Sequence, residues 1–348
     1  MVARTAHPEI ERLTATWEPR MRAAFLEAIA SITTPIDIVL LTRLIQAGDV
    51  AGALAAVGVE AANFSTLALT QTSLFHDGGM ALARAATRSA GRAVFQLLFN
   101  VRNPRAEEWI RTRSSTLIQE IVEDQRVAIR NALEAGLAAG ENPRTTALDL
   151  VGRINPRTKQ REGGVIGLHS RQEEWLRNYR ADLASSEPAA LRRLLERGLR
   201  DKRFDATVLK AIRDGTGIPP ELQVKMATQY ANKALKYRAD LISRTETIRS
   251  LGQAQTEMWQ QQIDGGKVDA DLLLRFWQTA GDERVRHTHR LIPGMNKDGR
   301  KWGEAFDTPS GPSMHAPHDT DPQCRCHEKV KVDFLAQVIR RKKARDGV

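Results

Sequence analysis

The chain has 348 residues, 41% hydrophobic and 27% charged, which is enough apolar content for a real core and excludes an intrinsically disordered chain. Lysine and arginine exceed aspartate and glutamate by 52 − 42 = 10, and a pI near 9.9 favours polyanionic partners such as DNA or RNA, or simply a solvated basic surface. Two cysteines are too few for a disulfide framework and point to a reducing compartment. No apolar run approaches the ~20 residues of a membrane helix, and the charged start MVARTAHPEIERL lacks a signal peptide's apolar core.

Residues 7–100 read as short Ala/Leu-rich helices. Thr34 before Pro35 is expected to cap one of them, with Ile36, Leu40 and Leu44 on its inner face, and HDGGM (76–80) is expected to be a loop. FNVRNP (99–104) closes this region. Residues 105–140 form a long amphipathic helix through Trp109, Leu117, Ile121, Ile129 and Leu133. Gly140 ends it, and Asn142-Pro143 opens the next. The basic, glycine-bearing stretch 155–167 is the predicted flexible linker. Helices resume from Glu173 to Gln262 with breaks at Pro188 and DGTGIPP (214–220). The last carries a stripe of Leu222, Met226, Tyr230, Ala234, Tyr237, Leu241, Thr245 and Ile248.

After Gly265-Gly266 the pattern changes. LLLRFWQT (272–279) reads as a buried strand, GMNKDGRKW (294–302) as a hairpin turning at Asp298-Gly299, and 305–323 as a proline-rich loop. CRCHEKVKVDF alternates, which puts Cys324, Cys326, Val330, Val332 and Phe334 on one strand face. Arg325, His327, Lys329, Lys331 and Asp333 fall on the other. The predicted fold class is α+β, mainly α: helical N-terminal and central regions, then a small C-terminal α+β domain with a short antiparallel sheet. The expected divisions are 1–104, 105–172, 173–336 and a basic tail 337–348.

Three segments stand in fixed order: LISRTETIRSLGQAQTEMW (241–259), RFWQTAGDERVRHTHRLIPGM (275–295) and CRC (324–326). Together they resemble the Mu-type minor head protein family, also called the phage head morphogenesis domain. The matching residues are Arg244, Thr245, Glu246, Trp277, Thr279, Asp282, Arg284, Val285, Arg286, His289, Cys324, Arg325 and Cys326. The resemblance covers 241–328, and it fades into a looser helical likeness upstream to about residue 125. It implies a minor capsid protein of a tailed phage or prophage, located in the virion head near the portal vertex and in the host cytoplasm during assembly. The implied partners are the portal protein, sister copies, scaffold or major capsid protein, and DNA contacted without sequence preference. Some members carry a toxin or enzyme domain beyond the Cys-Arg-Cys strand. The roughly twenty residues that follow it here are too few for one, so the expectation is a non-enzyme.

The residues themselves leave several chemistries open. Asp282 is placed to cap a short helix, with Arg284 and Arg286 as forks to carboxylates or carbonyls. Arg244 and Glu246, two apart on a helix, point about 200° apart, so they are expected to serve as separate ion-pair partners. His289, Cys324 and Cys326 are candidate zinc ligands, with His315 or His318 as a fourth, while His327 faces away. The default reading of the two cysteines is a pair of buried reduced thiols without a cofactor, and a disulfide is least favoured by same-face strand geometry. Arg340, Arg341, Lys342, Lys343 and Arg345, together with Arg153–Arg161, are candidate phosphate contacts. The rival function is a metal-dependent enzyme, nuclease or ADP-ribosyltransferase-like, built on the His/Cys cluster.

Overall fold

A computed structural model describes residues 8–90, 96–317 and 321–346. Its helices are α1 (Pro8–Thr33), α2 (Ile38–Gln46), α3 (Val50–Val57), α4 (Ser65–Ala90), α5 (Pro104–Ala138), α6 (Pro143–Val151), α7 (Ser170–Ala184), α8 (Pro188–Glu196), α9 (Asp205–Asp214), α10 (Pro220–Asp264), α11 (His287–Met295) and α12 (Phe334–Asp346). The strands are β1 (Arg153–Ile154), β2 (Arg161–Glu162), β3 (Leu273–Gln278), β4 (Arg300–Lys301) and β5 (His327–Val332). β1 pairs with β2, and an antiparallel sheet runs in the order β4-β3-β5. The chain is mainly α with small antiparallel sheets, as its sequence predicts.

Two compact units emerge, each assembled from separate segments: Met1–Arg22, Leu69–Ser114 and Leu241–Val348 in one, Ala23–Ala68 and Ser115–Asp240 in the other. These do not follow the ranges expected from composition. The chain passes between units inside α1, α4, α5 and α10; Pro19 stands three residues before the crossing in α1, and no glycine or proline marks the other three.

In the second unit, Phe25 and Phe64 meet at 6.4 Å and Tyr179 stacks on Tyr230 at 4.3 Å. The predicted linker 155–167 is a correction. Residues 153–162 form the β1–β2 hairpin, and Gly163 and Val165–Leu168 are buried. Gln125 holds this segment by accepting from Gly167 N at 2.6 Å and donating to the Leu168 carbonyl. Arg238, buried, donates to the Gly167 carbonyl and pairs with Asp124 at 3.0 Å. Burial pushes its pKa down to about 10, against the pull of Asp124. At α2 the cap is Asp37, whose carboxylate accepts from Val39 N and Leu40 N. The buried pair is therefore Leu41 and Ile45, with Leu40 exposed, one position on from the predicted face.

In the first unit, Phe75 stacks on Trp109 at 5.1 Å and meets Phe99 edge-on at 5.7 Å. HDGGM is helical, inside α4, and close packing explains the two glycines. A Cβ on Gly78 would stand 2.7 Å from a Leu251 methyl, and one on Gly79 would enter the Phe99 ring. Gly79→Ala therefore forfeits the usual helix gain of ~1 kcal/mol. Displacing Phe99 costs about 1–3 kcal/mol. Urea denaturation should show a variant no more stable than the parent, and a gain near 1 kcal/mol would refute the close approach.

The C-terminal sheet departs from the prediction in three places. β3 alternates rather than being buried throughout: Leu273, Arg275 and Trp277 point inward and Leu274 outward. Residues 294–302 do not pair with themselves, because β4 pairs with β3 and Gly294-Met295 end α11. The cysteines precede β5 rather than lying in it. The tail is also a correction, since α12 is helical and Gln337, buried, accepts from Asp269 N at 2.7 Å.

By length and hydropathy alone, Val50–Ala90 has the composition of a membrane span, with mean hydropathy 1.4 in its best window. Valine, leucine and alanine supply this together, in a stretch broken by Glu60 and Asn63. Gly58 at φ 66° and the 3-10 turn Ala61–Phe64 interrupt the helix there, and such breaks leave backbone groups that hydrocarbon does not satisfy.

Candidate metal centre

The site forms where two turns meet the start of α11. The first turn follows β3: Asp282 accepts from Arg284 N at 3.1 Å and its carbonyl accepts from Val285 N at 3.2 Å. Asp282 thus closes a turn and does not cap α11, whose N-cap is Arg286. Its carboxylate is gripped instead by the fork of Arg325 at 2.6 and 2.7 Å, which holds it below the usual carboxylate range. The pair is half exposed, so it orients the loop more than it stabilises it.

The second turn is Asp321–Cys324, closed by Cys324 N on the Asp321 carbonyl and by Gln323 in a left-handed conformation at φ 58°. Gln323 N donates to Thr245 Oγ1 on α10 at 2.9 Å, and Arg286 donates to the Pro322 carbonyl at 2.5 Å. The first and third motif segments, together with the second, therefore converge on one loop.

This arrangement aims His289 at both thiols. Its Nδ1 lies 3.3 Å from Cys324 Sγ and 3.4 Å from Cys326 Sγ, and the three ligand atoms lie within 4.8 Å of one another. All three residues are buried, in a small core with Trp277, Ile292, Phe306 and Ala316. Trp277 meets the His289 ring edge-on at 6.1 Å. The other imidazole nitrogen, Nε2, is 3.1 Å from Asp321 Oδ2. Both cysteines are free thiols. The hydrogen bond from Cys326 lowers the Cys324 pKa, with the Cys326 backbone N–H and His289 adding to it against burial. Sharing that proton, with burial, raises Cys326.

The predicted metal ligands His289, Cys324 and Cys326 are thus brought together. His315 is turned to Glu328, 3.5 Å away, and His318 lies outside the described residues. His327, expected on the strand face away from the cysteines, is 4% exposed at the start of β5, where it pairs with Gln278. Asp321 escaped sequence reasoning, as one acidic residue in a loop carries no spacing signal.

Arg244 and Glu246 have separate partners. Arg244 pairs with Glu18 at 2.9 Å, while Glu246, 2% exposed, receives Arg113, Arg249 and Gln71. Arg284 is exposed beside the site. Of the candidate phosphate contacts, Arg340 forks to Asp269 and Asp271, Arg341 donates to the Gly266 and Lys267 carbonyls, and Arg345 pairs with Asp346. Lys342 and Lys343 are exposed on α12. No protein-family model, curated protein or solved structure matches this chain.

Proposed function

We propose that the chain is a minor capsid, or head morphogenesis, protein of a tailed phage or prophage. It attaches at the portal vertex and assists head assembly and DNA packaging or delivery. The observation that supports this reading is the convergence of its three resembling segments. Residues more than thirty positions apart serve one another, through Thr245–Gln323, Asp282–Arg325 and His289 with the two cysteines. Motif residues spent on holding a loop are what an assembly protein needs. The partners are the portal protein first, then sister copies, scaffold or major capsid protein, with nonspecific DNA contact through Lys342 and Lys343 on α12. The chain resides in the virion head, and in the host cytoplasm during assembly.

The metal-dependent enzyme reading draws on the His/Cys cluster alone. An ADP-ribosyltransferase-like role for Glu246 is opposed by its burial among three donors.

Deleting residues 1–120 cannot test portal attachment, since residues 8–22 and 69–114 belong to the same unit as 241–346. The full chain should instead co-purify with the portal protein of its own phage or prophage. Val39→Asp with Leu40→Asp, at exposed apolar positions of α2, should weaken that capture with circular dichroism unchanged. A full chain that passes over immobilised portal unretained sinks the reading.

A further inference from the structure

We propose that His289 Nδ1, Cys324 Sγ and Cys326 Sγ hold one Zn²⁺ whose fourth position stays open to solvent in an arginine-lined cavity. The inference stands independently of the portal reading. Two sulfurs and an imidazole are the donor set that selects zinc over the hard cations, which want oxygen. Ligands at zinc's usual bond lengths and tetrahedral angles stand about 3.5–3.8 Å apart. The nitrogen–sulfur separations of 3.3 and 3.4 Å fall within a few tenths of that span. A small outward shift of each side chain would admit the ion.

Asp321 Oδ2, 3.1 Å from Nε2, is placed to accept a hydrogen bond from that nitrogen, and a neutral imidazole donating there turns its Nδ1 lone pair between the sulfurs, as a metal needs. A carboxylate behind a ligating imidazole is the usual means of orienting such a ligand. Asp321 is a positioning residue, held by the turn that also presents Cys324.

A Cys–His–Asp series is also how a thiol nucleophile is activated. Two observations favour the ion. Both sulfurs converge on one nitrogen, where a nucleophile needs only one, and the cysteines are 6% and 2% exposed. Buried free thiols alone need no histidine lone pair between them.

The open position follows from what lines the site. His289, Cys324 and Cys326 all border a cavity of about 240 Å³, with Arg284, Arg286 and Arg325 on its wall. Two thiolates neutralise the zinc, so an anionic fourth ligand leaves a net negative charge; Arg284 is the wall cation placed to offset it, since Arg325 is already forked to Asp282 and Arg286 lies 3.9 Å from Asp321. Water or a small anion is the expected occupant, which makes the position exchangeable.

The test uses the full chain, Zn²⁺ and Co²⁺. Purified protein should carry one equivalent of zinc. Its Co²⁺ form should show thiolate charge-transfer and tetrahedral d–d bands, and added azide should shift the d–d bands. Cys324→Ser and Cys326→Ser should lose charge-transfer intensity. Asp321→Asn should keep the Co²⁺ spectrum while zinc affinity, read by competition with a chromophoric chelator, falls about 10–100-fold. Wild-type protein that takes up neither ion overturns the site without recourse to any variant. Rapid alkylation of Cys324 in metal-free protein, unaffected by added Zn²⁺, overturns it in favour of a nucleophile. Co²⁺ bands indifferent to azide overturn the open position.

Discussion

Arg275→Ala should cost about 3–5 kcal/mol of stability, the toll of breaking a buried ion pair by removing one partner. Arg275 sits in the middle of β3 on its inward face, 2% exposed, between Leu273 and Trp277. Its guanidinium donates to the Met314 carbonyl at 2.8 Å, to Glu328 on β5 at 3.3 Å and to the Glu304 carbonyl, and it lies over the Phe306 ring at 5.0 Å. Glu328, 6% exposed, has its other oxygen on Ala316 N at 3.2 Å. Truncating the arginine takes from that carboxylate its buried guanidinium, leaving Ala316 N and the half-exposed His315, and takes the donor from two loop carbonyls at once. The double replacement Arg275→Met with Glu328→Leu should lose clearly less than the sum of the single changes, because it leaves no unpaired charge. A double-mutant cycle by urea denaturation reads this coupling. Additivity within about 0.5 kcal/mol would show that the pair does not hold loop to sheet.

That arginine also marks where the sequence misleads. LLLRFWQT looks like a run buried on both faces with one charge to spare, yet the charge is inside and Leu274 is 37% exposed. The alternation is the period of a sheet with one buried face, and Arg275 becomes intelligible only once Glu328 and the loop carbonyls are seen opposite it. Gly78-Gly79 and 155–167 fail for a similar reason. Glycines that read as local punctuation are there to let Leu251, Phe99 or buried backbone come close, and sequence separation hides the neighbour. Where the controlling partner is local, the reading transfers well. Asn142-Pro143 opens α6, with the Asn142 side chain accepting from Arg144 N, and Gly140 at φ 65° follows α5. The candidate site lies between these extremes. The rarity of cysteine and a nearby histidine cluster point to His289, Cys324 and Cys326. The turn that aims them, and the carboxylate behind His289, belong to tertiary structure. Division into interleaved units is equally invisible, since the boundaries fall within continuous helices.

Glu246→Ala should be nearly as damaging as the loss of Arg275, and its outcome separates two roles for the Arg-Thr-Glu segment. The carboxylate is 2% exposed on α10. It takes Arg113 Nε at 2.9 Å and Nη2 at 2.5 Å from α5, Arg249 at 2.9 Å from its own helix, and Gln71 at 3.0 Å from α4. Three helices of the first unit therefore share one acceptor. Removing it takes from Arg113 and Arg249 the carboxylate that both guanidiniums grip. Their side chains keep 18% and 21% of their exposure, so water recovers part of the loss. The expected cost is accordingly at the low end of the range for a broken buried pair, about 3 kcal/mol. Glu246→Gln keeps the shape and one acceptor oxygen but not the charge, so it should fall in between, at about 1–2 kcal/mol. A carboxylate kept for catalysis behaves oppositely: its replacement abolishes turnover and leaves stability unchanged or raised, because active sites are built against stability. Urea midpoints of the two variants decide the matter. An ordered loss, Ala worse than Gln, fits a residue that joins helices, whereas an unchanged or higher midpoint in Glu246→Ala would return the segment to the enzyme reading.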